Sequence, residues 1–193
     1  MKWYVIRHGQ TDWNLENKVQ GKADVSLNTK GVEQAEKTKE KLENEKIDLI
    51  ICSTLARAKE TAQMINKDRN IPIIYDDEIS ERDFGEFEGS KQDDFDFEGF
   101  WSYKKNQHFK SAENIKDFFY RVYTKLDNIE NKYKDKNILF VTHGGVSIAI
   151  DCYVNGMPDQ ESLLNLAIRK WWSKKLLYWE KYWRGIRLNI KSN

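Results

Sequence analysis

The chain has 193 residues, enough for one domain with a substantial hydrophobic core. Its 32 basic and 31 acidic residues give a formal net charge of +1, so no global field attracts nucleic acid or anionic lipid. No apolar stretch approaches the roughly 20 residues that span a bilayer, and the chain begins without a signal-peptide pattern. The two cysteines, Cys52 and Cys152, lie far apart in the sequence. We therefore expect one cytoplasmic domain with no disulfide framework and no nucleic-acid partner.

Short apolar runs alternate with helical patterns in the N-terminal half of the chain. Residues 3–6 have the aromatic and β-branched content of a buried strand, and Gly9 permits a sharp turn just after it. Asn28 and Thr29 are candidate caps of a charged amphipathic helix over 27–46. The pattern then predicts a strand over 47–52, a helix over 54–68 and a short strand over 72–75.

The same alternation continues in the C-terminal half. Apolar residues recur on one helical face over 114–133, and residues 137–142 form a further apolar run. Between the halves, residues 84–110 mix acidic and aromatic residues, which predicts a capping segment over the site with a short helix in it. The alternation favours an α/β fold, a three-layer sandwich with a mostly parallel central sheet and helices on both faces.

Three motifs follow predicted strands directly. They are Arg7-His8-Gly9, the run over 53–58 that contains Arg57, and Thr142-His143-Gly144-Gly145. The carboxyl ends of parallel strands meet at one edge of a sheet, where open α/β folds bind ligands. Two of the three histidines in the chain, His8 and His143, occupy similar His-Gly settings there. We expect these motifs to converge in space.

The first motif is part of a longer pattern. It continues with Thr11, Trp13, Asn14, Gly21, Asp24, Leu27, Gly31 and Gln34-Ala35. With this pattern the chain resembles the histidine phosphatase superfamily, the phosphoglycerate-mutase-like enzymes. The resemblance implies that His8 attacks phosphorus through a neutral imidazole nitrogen and forms a phosphohistidine, which water then hydrolyses. No cofactor is implied, and no paired His or carboxylate spacing suits a metal ion.

The resemblance also assigns the groups around the phosphate. Arg7 and Arg57 would hold the phosphoryl oxygens, because guanidinium groups match phosphate geometry, and His143 would donate to the same group. The catalytic residues are thus expected to be His8, Arg7, Arg57, His143 and a carboxylic acid.

Residues 79–89 resemble the family's stretch with the acid and put that role on Glu81, where a nearby phosphate and burial would favour the protonated form. The spacing alone leaves Glu86 and Glu88 as alternatives. The expected substrate-binding residues are Thr11, Asn14, Gln20 and Gly144.

Two departures from the family pattern stand out. Thr54 occupies a position that is usually proline, which predicts a less rigid loop, although Arg57 is retained. Catalytic residues are expected within 1–168, whereas 169–193 form an atypical basic tail with four of the seven tryptophans. We favour a variant tail that packs on the domain or frays. The alternative is an amphipathic helix that contacts an anionic membrane or a partner. Its apolar stripe would be Leu164, Ile168, Trp172, Trp179 and Trp183.

These observations predict a metal-independent phosphatase that acts on a small phosphorylated metabolite. A phosphoglycerate mutase is the close alternative, but such mutases are longer, with a segment that grips a second phosphate. Little room exists for that segment between Gly89 and Asn114. A non-catalytic phospho-ligand binder or scaffold is the alternative from another class, since a fold does not confer activity. A homo-oligomer is compatible with the sequence, and the substrate's alcohol part stays open.

Overall fold

A single sheet organises the part of the chain that the structure describes. The computed structural model describes residues 1–166 and the strand at residues 177–180. The strands are β1 (Lys2–Arg7), β2 (Leu49–Cys52), β3 (Ile73–Tyr75), β4 (Ile138–Thr142) and β5 (Leu177–Glu180). Their order in the sheet is β3-β2-β4-β1-β5. The pairs β3-β2, β2-β4 and β4-β1 are parallel, and β5 runs antiparallel to β1.

Helices cover both faces of this sheet, as the sequence pattern predicts. They are α1 (Asp12–Leu15), α2 (Thr29–Lys41), α3 (Ala56–Asn66), α4 (Phe97–Phe100), α5 (Ile115–Lys132) and α6 (Gly144–Asn155). Helix α2 is shorter than expected, and Asn28 caps it by accepting a 2.9 Å hydrogen bond from the Gly31 amide. Helix α6 was not predicted, because two glycines open it and its buried, nearly uniform apolar run lacks a helical period. No described helix combines the length and apolar character needed to cross a membrane.

The core is divided between the two faces of the sheet, because successive strand residues point to opposite sides. On one face, Val5 and Phe140 pack with the buried side of α5 and with α6. On the other, Ile6 and Val141 pack with the buried alanines of α3 and with Leu42 beyond the end of α2. Strands buried on both faces explain the nearly continuous apolar runs in the sequence.

Residues 84–110, the capping segment, contain short helices and an aromatic cluster. Helix α4 confirms the predicted short helix, and 3₁₀ turns form at Gly85–Phe87 and Gln92–Asp94. Rings of this segment pack against one another, with Phe84 stacked on Phe100 at a centroid distance of 4.5 Å. The acidic residues between the rings are mostly exposed. Contacts between the rings therefore hold the segment together, and most of its acidic side chains are accessible to solvent.

The amphipathic-helix interpretation of the tail is wrong at residues 177–180. These residues form β5, which pairs with β1 in the register Trp3↔Trp179, and Leu164 lies in a separate 3₁₀ turn. The open edge of β1 offers unpaired backbone groups, and a short aromatic and apolar segment satisfies them as a strand. The other predicted stripe positions, Ile168, Trp172 and Trp183, lie outside the described residues.

The turn after β1 packs tightly on the first turn of α2, which gives a testable consequence. A Cβ at Gly31 would lie 2.1 Å from the carbonyl oxygen of Gln10, a backbone atom that cannot rotate away. We expect Gly31→Ala to lower the free energy of unfolding by about 1–3 kcal/mol, measured by urea denaturation. Lys30→Ala, at the exposed neighbouring position, is the control. Equal stabilities for the two variants would contradict the close approach.

Candidate active site

The predicted motifs converge at the carboxyl ends of three adjacent strands. Strand β4 lies between β1 and β2, so residues that follow each of them become neighbours. The His8 amide donates to the Thr142 carbonyl at 2.8 Å, and the Ser53 amide donates to the Val141 carbonyl at 3.0 Å. The parallel ladders therefore continue one residue beyond the strands and hold the three loops in register.

A cavity of about 710 Å³ opens at this edge. Seven of the nine predicted site residues line it: Arg7, His8, Asn14, Gln20, Arg57, Glu81 and Gly144. The other two, Thr11 and His143, are completely buried and do not line the cavity surface. Most of the predicted site residues thus line one cavity, and Thr11 and His143 lie beneath its surface.

His8 is buried and has one defined tautomer. Its Nδ1 lies 2.7 Å from the carbonyl oxygen of Gly9, which can only accept, so Nδ1 carries the proton and Nε2 keeps its lone pair. Burial lowers the pKa of His8 well below its ordinary value, and the positive charges of Arg57 and Arg7 lower it further. A neutral imidazole with a free Nε2 is the state required of a nitrogen nucleophile.

Two guanidinium groups supply positive charge beside His8. Arg57 is buried, and its terminal nitrogens donate to the carbonyls of Ala23 at 2.7 Å and Gly21 at 2.8 Å. Burial lowers the pKa of Arg57 to about 10, against the opposing effect of Glu81, so the group stays charged at neutral pH. Arg7 is half-buried, and its pKa is also lowered by burial and partly restored by Glu81. Neither Nε atom has a hydrogen-bond partner among the described residues.

His143 stands directly behind His8, with ring centres 5.1 Å apart. Its Nε2 is 2.7 Å from the hydroxyl of Ser53, which in turn lies 2.9 Å from the hydroxyl of Ser80. Burial and the charge of Arg57 lower the pKa of His143 well below its ordinary value. Its buried Nδ1 has no partner among the described residues.

The three candidate acids occupy different environments. Glu81 lines the cavity, and its carboxylate accepts from the amides of Arg82 at 2.9 Å and Gly145 at 3.0 Å. Glu86 is exposed, and Glu88 accepts from the amides of Lys22 and Phe84. Neither Glu86 nor Glu88 lines the cavity. The geometry therefore favours Glu81 as the acid.

The four residues expected at the substrate differ in what they contact. Thr11 does not line the cavity as expected: it caps α1, and both its amide and its hydroxyl donate to Oδ1 of Asn14. Asn14 is left with its Nδ2 amide for the cavity. Gln20 is buried at the cavity wall, and Gly144 begins α6 there. Thr11 thus positions Asn14 through these hydrogen bonds.

Three further residues contribute to the site and are not among those predicted from the sequence: Ser53, Gly145 and Trp101. Ser53 was noted only as part of a motif, although its place after β2 already put it at the carboxyl edge. Gly145 binds Glu81 through its amide, and a Cβ there would lie 2.2 Å from the Glu81 carboxylate. Trp101 lines the cavity, and no motif surrounds it in the sequence. Only the aromatic content of the capping segment pointed to it.

The described part of the chain contains no group of three or more His, Cys, Asp or Glu side chains arranged to hold a metal ion. Cys52 and Cys152 are buried free thiols. The predicted site residues that line the cavity thus supply one imidazole, two guanidinium groups, two side-chain amides and one carboxylate.

The buried neutral histidines make stability depend on pH in a defined direction. Both folded-state pKa values lie below 6.5, so as the pH falls below that value the unfolded chain takes up protons that the folded chain does not. Stability is therefore lost towards acid. Between about pH 7.5 and 5.5, urea unfolding of His8→Gln should lose about 1.4 kcal/mol less than the unmodified chain. Exposed His108→Gln is the control, and equal losses in both variants would contradict the assignment.

Comparisons with known proteins agree with this geometry. The family model of the histidine phosphatase superfamily (branch 1) matches residues 3–191. The uncharacterized phosphatase PhoE of Bacillus subtilis is 33% identical over 98% of this chain and 94% of its own. The phosphoglycerate mutase-like protein 4 of Arabidopsis thaliana is 35% identical over 85% of this chain and 76% of its own.

Solved structures agree as well. That of Bacillus stearothermophilus YhfR superposes with a TM-score of 0.76 at 30% identity, over 86% of this chain and 83% of that one. The fold, the convergent site and these matches lead to one assignment: the chain belongs to the histidine phosphatase superfamily.

Proposed function

We propose that the protein hydrolyses small phosphate monoesters, without a metal ion, through a phosphohistidine intermediate at His8. One observation carries the proposal: a buried imidazole in the Nδ1–H tautomer faces a cavity that also holds Arg7 and Arg57. A free nitrogen lone pair beside two fixed positive charges suits in-line attack on a phosphate group. The superfamily membership supports a phosphatase-type activity.

In the first step, Nε2 of His8 attacks phosphorus, and the bond from phosphorus to the alcohol oxygen breaks. Glu81 donates its proton to the leaving oxygen, so that a neutral alcohol departs. Arg7 and Arg57 stabilise the charge on the equatorial oxygens, and His143 donates to the same group through its Nδ1 in the tautomer that leaves Nε2 accepting from Ser53.

In the second step, water attacks the phosphohistidine. The Glu81 carboxylate takes a proton from that water, the bond from nitrogen to phosphorus breaks, and its electron pair returns to Nε2. Inorganic phosphate leaves, and His8 is again neutral. Burial favours this neutral state, which keeps the nucleophile ready for another cycle.

Mutase chemistry is the alternative, since relatives carry phosphoglycerate mutase-like names. A mutase must hold a second anionic group of its substrate while the first is transferred. Away from the arginines, the cavity is lined by the exposed carboxylates of Asp93, Asp96 and Glu98. These like charges repel a second phosphate or a carboxylate, which favours hydrolysis.

The nucleophile assignment is tested with His8→Ala. Phosphate release from p-nitrophenyl phosphate in the presence of a chelator should fall below about one thousandth of the unmodified rate, because His8 is the only imidazole among the described residues that line the cavity. Rapid acid-free quenching with radiolabelled phosphate ester should label the unmodified protein with a base-stable, acid-labile phosphate and leave His8→Ala unlabelled. His108→Ala serves as the control, and turnover that survives in His8→Ala would refute the mechanism.

The acid assignment is tested with Glu81→Gln and the matched variant Glu88→Gln. An alkyl phosphate needs a proton on its leaving oxygen, so Glu81→Gln should slow its hydrolysis by about a hundredfold or more. p-Nitrophenolate leaves without a proton. In Glu81→Gln, the single-turnover rate of His8 phosphorylation by p-nitrophenyl phosphate should therefore fall much less than the rate with the alkyl phosphate. Glu88→Gln keeps the acceptor for the Lys22 and Phe84 amides and should preserve the ratio of the two rates. Equal losses on both esters in Glu81→Gln would assign that residue a structural role.

A further inference from the structure

The cavity wall formed by the capping segment carries more negative than positive charge. Asp93, Asp96 and Glu98 line it, and none of them forms an ion pair with a described residue. The charge of Lys105 acts on Asp96 and Glu98, but that lysine forms its ion pair with Glu161 at 2.7 Å. Asp96 accepts only a backbone amide, that of Gly99 at 2.8 Å, which leaves its charge unpaired. The one lysine on the cavity wall, Lys18, is paired with Glu16 at 2.6 Å. The cavity therefore combines the positive charges of Arg7 and Arg57 with the negative charges of the capping segment. We call these three carboxylates, Asp93, Asp96 and Glu98, the acidic rim.

Aromatic rings lie among these carboxylates. Phe95 and Phe97 line the same cavity and are half-buried, so part of each ring remains open to it. The two rings meet edge to face, with centroids 5.6 Å apart. Carboxylates interleaved with aromatic faces form a surface that attracts cations, ammonium groups among them.

A second, independent observation indicates that a polar ligand group belongs in this cavity. Gln20 is only 7% exposed and lines the wall, yet its Oε1 has no hydrogen-bond partner among the described residues. Trp101 is 3% exposed, also lines the wall, and its Nε1–H is likewise unpartnered. Buried polar atoms are costly when unpaired, so a ligand that supplies a donor to Gln20 and an acceptor to Trp101 is favoured.

Backbone contacts place Gln20 beside the acidic residues. The Val19 amide donates to the Ser90 carbonyl, and the Gly89 amide donates to the Val19 carbonyl, both at 2.9 Å. Residues 89–90 lead directly into the 3₁₀ turn Gln92–Asp94. The loop that carries Gln20 is therefore joined to the segment that carries Asp93, so the unpaired acceptor and the negative charge belong to neighbouring parts of the wall.

We infer that this cavity selects phosphate monoesters whose alcohol part carries a protonated amine. The ammonium group lies among Asp93, Asp96 and Glu98 against the rings of Phe95 and Phe97, and one of its N–H groups donates to Gln20 Oε1. An ammonium group has three donors, which suits the three carboxylates and the unpartnered Oε1 of Gln20, while the acceptor that Trp101 Nε1–H needs is an oxygen of the same ester. The inference rests on the proposed function, because the phosphoryl end must be held by Arg7 and Arg57 for the amine to reach this rim.

The test compares substrates that differ only in terminal charge. ω-Aminoalkyl phosphates with chains of increasing length are each paired with the n-alkyl phosphate and the ω-carboxyalkyl phosphate of matching length. At the length that reaches the rim, kcat/KM for the amine should exceed that for the alkyl ester about tenfold, as three partly screened charges allow. The kcat/KM for the carboxyalkyl ester should be lower than that for the alkyl ester.

The matched variants are the triple change Asp93→Asn, Asp96→Asn and Glu98→Gln, and the single change Asp94→Asn. Asn at 96 preserves the cap of α4, so the triple variant removes charge and keeps the local fold. Its amine-to-alkyl ratio should fall to about one. Asp94 is an exposed neighbour that does not line the cavity, so Asp94→Asn should keep the full ratio.

Binding to the His8→Ala protein, measured by calorimetry with the same esters, separates the two proposals. If the unmodified protein hydrolyses none of the esters, the proposed function is refuted. A lower Kd for the amine ester than for the alkyl ester would still support the selection of amines. Hydrolysis with equal rates and equal Kd values for amine and alkyl esters at every length would overturn the selection alone. An amine preference that survives the triple change would also overturn it.

Discussion

The burial of positive charge at the end of β1 and the start of α3 is the constraint on which the site depends. The carbonyls of Gly21 and Ala23 accept hydrogen bonds from the buried Arg57, and the negative charge of Glu81 offsets part of the cost of burying its charge. Arg7 adds a second positive charge a short distance away, so the site holds more buried positive than negative charge. An anion in the cavity offsets that imbalance. The phosphate binding that we propose would thus follow from how the cations are buried.

The same positive charge sets the state of the nucleophile. Two nearby cations disfavour a third, so His8 stays neutral, and the Gly9 carbonyl determines which nitrogen keeps the lone pair. That carbonyl is fixed because the backbone turn fits closely against α2: a Cβ at Gly9 would lie 2.6 Å from the Gly31 carbonyl oxygen. The close packing of Gly9 on Gly31 therefore fixes the carbonyl that binds Nδ1 of His8. Through this hydrogen bond, the fold of the first loop determines which nitrogen of His8 is free to react.

The sequence predicted the parts that depend on local pattern and on strand order. Apolar runs in the sequence predict β1, β2 and β4, and the rule that ligands bind at the carboxyl ends of parallel strands predicts that Arg7, Arg57 and His143 lie together. Depth was not predictable, because Thr11 and His143 lie behind the wall for reasons of packing between distant segments. Trp101 had no local signal, since only tertiary contacts bring it to the cavity. The strand at 177–180 was missed because an aromatic segment satisfies either a helical stripe or an open sheet edge.

One side chain joins the proposed acid, Glu81, to the aromatic wall of the capping segment. Arg82 follows Glu81 in the chain, and its guanidinium lies 3.6 Å from the centre of the Phe100 ring. It also donates to the carbonyls of Phe100 and Glu113, so it ties the capping segment to the chain just before α5. Arg82 is 1% exposed, and this burial lowers its pKa to about 9. A shift of the aromatic wall would therefore move Arg82 and, through the shared backbone, the carboxylate of Glu81. Under the proposed mechanism, Arg82 would therefore couple substrate choice to protonation of the leaving oxygen.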